Sequence, residues 1–458
     1  MLTPRDRLLA ALFAFQLVAA AVFGGVLVHG LRKDHSSANS SVVASDLGSS
    51  GTNPLVGPSA TAGGGPTSAA SLAPGQSAGP AGPLPESSSA GSVTAVKPGA
   101  PIKIGVLVTQ TGAINFAPSA QGTKAYIDRV NAAGGVNGHQ IQLTIMDDQL
   151  DQARGQSAAQ RMLADGVLAF AAWNAPNTEN AIVPFLEQNK VPLIGAYGEY
   201  AEYHSQYAYA FTDAYSHFGW EMSRYLHQLG VKNPGVVYID NGESHANAGF
   251  ERGFRNGWKS AGGGSIPNGN FFVEQPTQPT YDDVVTSLQL GKVDGIATIL
   301  DQTAYNRLQQ AEDRHAYHPT HLADPLFPDP AVSKSARNDG TYVATDIDFL
   351  DTGGAEVQDY VKTVRAQYGS NAALNWVGEV GWLDAKILVE ALKKLGSTIT
   401  RVGLMNAVDS MTPQGFGFTS PQKFGRGAHD MNRCIKFGKF TGGKVVQTQD
   451  WTCDNEPF

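Results

Sequence analysis

The chain has 458 residues, of which 42% are hydrophobic, and this allows two or three domains with substantial cores. Its 33 basic and 41 acidic residues give a formal net charge of −8, without blocks of one sign, which argues against a nucleic-acid partner. The two cysteines form no Cys-x-x-Cys pair, so a zinc site has no support.

Residues 1–35 contain a long apolar run, from Leu8 to Leu31, with two basic residues on either side. A bilayer needs about 20 helical residues to be crossed, so this run is long enough. A cleaved signal peptide usually has a shorter apolar core and a clear small-x-small cleavage site. We therefore interpret residues 1–35 as an uncleaved membrane anchor, with a cleaved signal segment as the alternative.

Residues 36–100 are dominated by Ser, Ala, Gly and Pro, have no aromatic residue and carry only Asp46, Glu86 and Lys97 as charges. Such a segment cannot bury enough apolar surface to offset the entropy lost on ordering. The composition predicts a disordered linker with a span on the order of 45 Å for about 65 residues.

The first regular elements form a βαβ unit. A β-branched run from Ile102 to Val108 predicts a buried strand, and Pro118 opens a helix whose apolar residues recur at spacings of three and four. The glycines 134 and 135 end the helix, and the alternation from Ile141 to Asp147 predicts a second, parallel strand. Ligands bind beyond the carboxyl ends of the strands in such α/β sheets.

The alternation of strands and helices continues in two series, which predicts two lobes. The first lobe takes residues 101–213, with a helix at 179–188 capped by Thr178 and an edge strand at 207–211. The second lobe takes residues 214–340. Residues 341–410, with a strand at 341–347 and helices at 355–368 and 374–395, are expected to return to the first lobe. The predicted fold class is α/β, with two doubly wound lobes joined by a hinge.

Residues 411–458 contain two strand-like runs around the turn 441–443, with Cys434 and Cys453 roughly opposite each other. A hairpin on the second lobe is expected here. We predict a disulfide, because the N-terminus indicates export to an oxidising compartment. The alternative is a pair of free thiols in a cytosolic protein.

Four short sequences, in this order and spacing, resemble a known family: residues 102–105 (IKIG), 111–112 (TG), 131–138 (NAAGGVNG) and 147–148 (DD). The chain resembles the type I periplasmic binding proteins of the leucine/isoleucine/valine-binding family, which serve ABC importers. The resemblance implies two lobes that close over a small-molecule ligand, with an ABC permease as partner. No catalytic residue, metal or cofactor is predicted from the residues themselves.

In branched-chain amino-acid binders of that family, first-lobe hydroxyls and amides hold the ligand carboxylate, and a second-lobe tyrosine and acid face the ammonium. Asn177 and Thr178 match the positions of the hydroxyls, at a helix N-terminus that suits an anion. Glu199, however, replaces a carboxylate-binding threonine and would repel a carboxylate. The family's second-lobe Tyr-Gly pair is also missing near His245. The resemblance therefore does not imply an ordinary aliphatic amino acid.

The predicted ligand-binding residues follow strand ends or match family contact positions. They are Phe116, Trp173, Asn174, Asn177, Thr178, Tyr197, Glu199, His245, Asp301 and Asp324. Each also has a structural interpretation. The aromatic residues suit core packing, Asn177, Thr178 and Asp301 suit helix caps, and Asp324 suits a turn before Pro325. Tyr197 and Glu199 suit a solvated loop tip, and His245 a surface position.

No catalytic motif supports an enzyme: the chain has no GxSxG elbow, no GxxxxGK[ST] phosphate loop and no HExxH. His315, His318 and His321 repeat every three residues, but Pro319 interrupts a helix between them, so they are interpreted as a helix end and not as metal ligands.

We therefore predict an extracytoplasmic solute-binding protein that captures a small polar organic ligand, such as an amino acid or an amide, for ABC-type import. A cysteine for lipid anchoring is missing before Cys434, which favours the N-terminal helix as the anchor, single-pass in the cell membrane. The alternative is a membrane-anchored receptor whose ectodomain senses a ligand and signals.

Overall fold

The computed structural model describes residues 95–112, 114–196, 205–210, 212, 214–240, 244–275, 277–326, 336–423 and 433–453. These residues belong to one compact unit, Leu72–Phe458. The predicted membrane anchor and most of the predicted linker lie outside the described residues. Within the described ranges, no helix combines the length and the apolar character that crossing a bilayer requires.

The first lobe is built on a parallel sheet of five strands in the order β2-β1-β3-β4-β5. Its strands are β1 (Ile102–Val108), β2 (Ile141–Asp147), β3 (Ala169–Trp173), β4 (Leu193–Ala196) and β5 (Ala208–Ala210). Three helices follow the first three strands: α1 (Ala117–Ala132), α2 (Gln152–Ala164) and α3 (Pro176–Asn189). In β1 every residue except Lys103 is buried, as expected for a strand covered on both faces.

The second lobe is built on a seven-stranded sheet in the order β12-β11-β10-β9-β8-β6-β7. Its strands are β6 (Pro234–Ile239), β7 (Phe271–Glu274), β8 (Gly295–Ile299), β9 (Thr320–Ala323), β10 (Tyr342–Thr345), β11 (Cys434–Thr441) and β12 (Lys444–Cys453). Strands β6 to β10 are parallel, and β11 and β12 are antiparallel additions. Its helices are α4 (Tyr215–Gln228), α5 (Ser244–Ser260), α6 (Asp282–Leu290) and α7 (Gln302–His315).

The strand near residues 341–347 does not return to the first lobe, so that part of the prediction was wrong. β10 pairs with β9 in parallel, Tyr342 opposite Leu322, and with β11 in antiparallel orientation, Tyr342 opposite Lys439. Its apolar alternation predicts a strand but carries no information about which sheet it joins.

The chain then crosses to the first lobe through α8 (Ala355–Tyr368), α9 (Trp376–Lys393) and α10 (Arg401–Asp409). Thr123 of α1 donates a hydrogen bond of 2.9 Å to the carbonyl of Gly381 in α9, and the Tyr126 and Trp382 rings meet edge to face. The buried guanidinium of Arg401 donates to the carbonyls of Val167 and Leu168. Helix α10 had not been predicted from the sequence.

The predicted disulfide is confirmed. Cys434 and Cys453 are opposite each other in the β11–β12 hairpin, and a disulfide joins them. The bond closes the hairpin at its open end, and β11 is almost entirely buried.

Helix α9 carries two buried carboxyl groups into the first lobe, those of Glu379 and Asp384. Asp384 packs directly against Gly195 of β4, where a Cβ would overlap its carboxylate. Burial raises the pKa of Glu379 and of Asp384 well above the ordinary values. Neither oxygen of Asp384 has a hydrogen-bond partner among the described residues.

Because the pKa of Asp384 is raised in the folded state, the folded protein holds a proton that the unfolded chain releases. Stability should therefore fall as the pH rises from the ordinary aspartate pKa toward the raised one, by up to about 1.4 kcal/mol per pH unit for one group. The side chain introduced by Asp384→Asn cannot ionise, so this variant should lack the part of the pH dependence of stability that comes from Asp384. Chemical unfolding between pH 4 and pH 8 would show the variant gaining on the wild type as the pH rises.

Asp165→Asn, at an exposed position, is the control for the loss of one charge. Its stability curve should run parallel to that of the wild type. A parallel curve for Asp384→Asn as well would show that Asp384 does not bind the proton.

Candidate functional site

A cavity lies at the carboxyl ends of β8 and β9, between the helices of the second lobe and the start of α9. The volume that the centres of water-sized molecules can occupy is about 20 Å³. The free space including the open mouth is about 340 Å³. Most of the lining side chains are aromatic or aliphatic. They are Thr212, Tyr215, Phe218, Phe250, Ile299, Asp324, Pro325, Leu326 and Trp376.

Trp376 closes the cavity from the side of the first lobe. It is the first residue of α9, and the side chain of Asn375 caps the helix by accepting the N–H of Gly378. The indole Nε1 of Trp376 donates a hydrogen bond of 2.7 Å to Asp346, which follows β10 of the second sheet. This bond links the two lobes next to the cavity.

Asp324 is the only acidic residue among the described residues that line the cavity. It follows β9 directly and is 4% exposed, and its Oδ1 has no hydrogen-bond partner among the described residues. Burial raises the pKa of Asp324 well above the ordinary value, and the charge of Asp301 raises it further, while backbone N–H groups of Leu300 and Leu326 oppose the shift. The carboxyl group can stay protonated, or it can ionise when a positive group or an N–H donor binds beside it.

Four of the predicted first-lobe residues are buried together at the carboxyl ends of β1 and β3: Phe116, Trp173, Asn174 and Thr178. The indole Nε1 of Trp173 donates to the hydroxyl of Thr178 at 3.1 Å, and that hydroxyl donates to the carbonyl of Ala175 at 2.7 Å. Asn174 donates to the hydroxyl of Ser119 at 3.0 Å. None of the four lines the cavity.

The prediction that Thr178 caps its helix was wrong. Helix α3 begins two residues earlier, at Pro176, and Ala175 is the residue at its N-cap. Proline suits the first turn of a helix because its missing N–H needs no partner there. The hydroxyl of Thr178 is therefore inside the first turn, where it accepts a hydrogen bond from Trp173 and donates one to Ala175.

Asp301 follows β8 and caps α7 by accepting the N–H of Ala304 at 2.8 Å. Its negative charge helps to raise the pKa of Asp324, but Asp301 does not line the cavity. Asn177 and His245 lie in the first turns of α3 and α5. Tyr197 and Glu199 are outside the described residues.

The sequence analysis missed the aromatic residues of the cavity. Tyr215, Phe218 and Phe250 lie at helical spacings that are typical of core positions, and Trp376 opens a helix that belongs to the other lobe. The available signal was topological, because Ile299 and Asp324 mark the carboxyl ends of adjacent parallel strands.

Two of the three histidines near β9, His315 and His321, each lie beside a different acidic residue. His315 Nε2 lies 3.0 Å from Asp282 Oδ1, and His321 Nε2 lies 3.1 Å from Glu312 Oε2. The described part of the chain contains no group of three or more His, Cys, Asp and Glu side chains placed to hold a metal ion.

Comparison with known proteins gives three kinds of match. A family profile described as periplasmic binding protein matches residues 101–444. A curated relative, the Leu/Ile/Val-binding protein homolog 1 of Brucella abortus, is 44% identical over 66 residues. This match spans 14% of the chain and 18% of the relative's length.

Among solved structures, the chain is similar to a fatty acid ABC transporter substrate-binding protein from Thermomonospora curvata, with a TM-score of 0.68 and 20% identity over 78% of this chain and 94% of that one. A branched-chain amino acid ABC transporter protein from Thermus thermophilus with bound valine has a TM-score of 0.68 at 16% identity, covering 77% and 96% of the two chains. An R. palustris solute-binding protein in complex with benzoate has a TM-score of 0.67 at 14% identity, covering 77% and 98%.

These structural matches agree with the two-lobed α/β architecture, and the profile match covers both lobes. The resemblance predicted from the short sequences in the first βαβ unit is therefore confirmed. The chain belongs to the periplasmic binding protein family.

Proposed function

We propose that the protein is an extracytoplasmic solute-binding protein, which captures a small organic ligand between its two lobes and delivers it to an ABC permease. The observation that carries the proposal is the cavity itself. The buried carboxyl group of Asp324, whose Oδ1 has no hydrogen-bond partner in the described chain, lies at the carboxyl end of β9 and lines the same cavity as Trp376 of the first-lobe helix α9. A cavity with few polar groups at strand ends is the common form of a ligand site.

Ligand binding would shift the lobes toward a closed state, since a ligand that touches both lobes has higher affinity for the conformation that brings them together. Three chain segments connect the lobes: the segment before α4, the segment from β10 to α8 and the segment from α10 to β11. The bond between Trp376 and Asp346 lies beside the second of these connections. Binding and release replace chemistry, and family membership supports a role without catalysis.

Structurally similar proteins support an ABC permease as partner, and the family match supports an extracytoplasmic location. The solved proteins named above are described as ABC transporter or solute-binding proteins, and their ligands include valine and benzoate. For this chain, the ABC permease, the anchor at residues 1–35 and the linker at residues 36–100 belong to the proposal. Tyr197 and Glu199 stay predictions for the first-lobe side of the ligand site.

A thermal-shift screen of the full chain tests the function. Amino acids, amides, amines, sugars and aromatic acids would be added one at a time, and a true ligand should raise the melting temperature because it binds the folded form alone. At a hundred times its Kd, such a ligand increases the free energy of unfolding by about 2.7 kcal/mol. Trp376→Ala should abolish the shift, because it removes the wall between the lobes. Trp451→Ala, which removes a tryptophan of β12 outside the cavity lining, is the matched control and should keep the shift.

A solute that shifts both variants equally would place the site elsewhere. Uptake of the identified ligand by cells lacking the gene separates import from sensing. Import predicts that uptake is lost, and a sensing role predicts that uptake continues.

A further inference from the structure

Among the described residues, four aromatic side chains line the cavity together with one acid, Asp324: Tyr215, Phe218, Phe250 and Trp376. Phe250 is completely buried and Trp376 is 7% exposed, so the rings have little contact with bulk water. Aromatic rings carry negative charge density on their faces and attract cations, at roughly 0.5–2 kcal/mol for each good contact. The lining therefore suits a ligand with a positive group.

The charges of the residues that line the cavity also favour a ligand with a positive group. Among the described residues around the cavity there is no Lys, Arg or His, and Asp324 is the only ionisable group besides the Tyr215 phenol. An anionic ligand would find no opposite charge there, whereas a cation would find the buried Oδ1 of Asp324. A buried carboxylate is stable only when a positive group or hydrogen bonds accompany it.

The strength with which a cation is hydrated determines how well it suits this cavity. An ammonium group with several N–H donors loses strong hydration when it enters an apolar cavity, and each donor then needs an acceptor. A methylated ammonium is weakly hydrated and is satisfied by aromatic surface, which is why rings of aromatic residues recognise such groups. The lining, with four rings and one carboxyl group, matches the methylated form better.

The family resemblance implied that the hydroxyl of Thr178 contacts a ligand carboxylate, but the contacts of this hydroxyl in the described part of the first lobe are internal. The hydroxyl of Thr178 is buried and bonded to Trp173 and Ala175. A ligand recognised by its positive group, without a required carboxylate, is consistent with these contacts.

We propose that the solute is a small methylated ammonium compound whose positive head lies among Tyr215, Phe218, Phe250 and Trp376, beside Asp324. This inference rests on the proposed solute-binding function and specifies its ligand class. A trimethylammonium head is much larger than a water molecule, and the space open to the centres of water-sized molecules is only about 20 Å³. The head therefore enters when Trp376 moves away with the first lobe, and closure brings the indole back over it.

The test compares two probes of equal shape. Choline and its uncharged carbon isostere, 3,3-dimethylbutan-1-ol, would be titrated calorimetrically into the full chain, kept in a maltoside detergent that has no choline group. Choline should bind at least about tenfold more tightly, since a tenfold ratio corresponds to one good cation–π contact or charge pair.

Two variants probe the origin of this preference. Asp324→Asn keeps the shape of the side chain and should weaken choline about tenfold or more, while the neutral alcohol changes by less than about threefold. Tyr215→Leu keeps an apolar residue without a ring and should weaken choline and leave the alcohol nearly unchanged. The comparison of the two probes on the wild-type protein decides the question even if a variant does not fold.

Equal affinity for the two probes would overturn the methylated ammonium ligand. So would the absence of choline binding in a protein that another solute class stabilises, and in that case the solute-binding function would survive. If no solute of any class stabilises the protein, the proposed function fails, and the ligand class fails with it.

Discussion

Gly253→Ala should destabilise the protein by about 2–3 kcal/mol, because helices α4 and α5 touch backbone to backbone at this residue. A Cβ at Gly253 would overlap the carbonyl oxygen of Ser216, and one at Gly219 would overlap the carbonyl oxygen of Phe250. Neither carbonyl can move without shifting its helix. The same crossing positions Tyr215, Phe218 and Phe250 around the cavity, so the variant should also lose ligand affinity.

Gly249→Ala provides a matched control one helical turn earlier in α5. A Cβ there would meet its nearest atom, the backbone nitrogen of Ser216, at 3.8 Å, an ordinary contact distance. Alanine is a better helix former than glycine, so this variant should be as stable as the wild type or up to about 1 kcal/mol more stable. Urea unfolding would measure both variants. A Gly253→Ala protein as stable as the Gly249→Ala protein would mean that the two helices are not packed this closely.

Replacing Cys434 and Cys453 together by alanine should lower the free energy of unfolding by about 3 kcal/mol, the usual contribution of a disulfide that closes a loop of this size. The two cysteines are separated by 19 positions in the sequence. Without the bond, the unfolded chain gains freedom and the ends of β11 and β12 can separate. Guanidinium unfolding of oxidised wild type and of the double variant gives the difference.

The wild-type protein treated with a reductant is the control for this prediction, because it contains the same side chains without the bond. Its unfolding curve should approach that of the double variant, and the double variant itself should not respond to the reductant. Identical curves for oxidised and reduced wild type would show that the disulfide does not stabilise the fold.

Much of the fold could be predicted because its elements follow local rules. The β-branched run of β1, the proline at the start of α1 and the glycines that end it are signals that a few neighbouring residues carry. The cysteine pair was predictable for the same reason, since the hairpin turn determines which residues lie opposite each other.

The errors concern interactions between distant residues. The alternation of β10 identifies a strand, but its partners Leu322 and Lys439 decide the sheet, and they lie 20 and 97 positions away. Thr178 has the side chain of a typical helix cap, but Pro176 begins α3 and places the threonine inside its first turn. The cavity depends on α4, α5 and α9 meeting, and no local pattern distinguishes Phe218 or Phe250 from core residues.

The order of the strands has a consequence for how the protein is made. β11 and β12 join β10 in the second sheet, although helices α8, α9 and α10, which cross to the first lobe, separate them in the sequence. During synthesis, one edge of β10 therefore has no partner until β11 has been made. An unpaired strand edge can pair with other polypeptides, so the interval between the synthesis of β10 and that of β11 is the time when the chain is most exposed to aggregation.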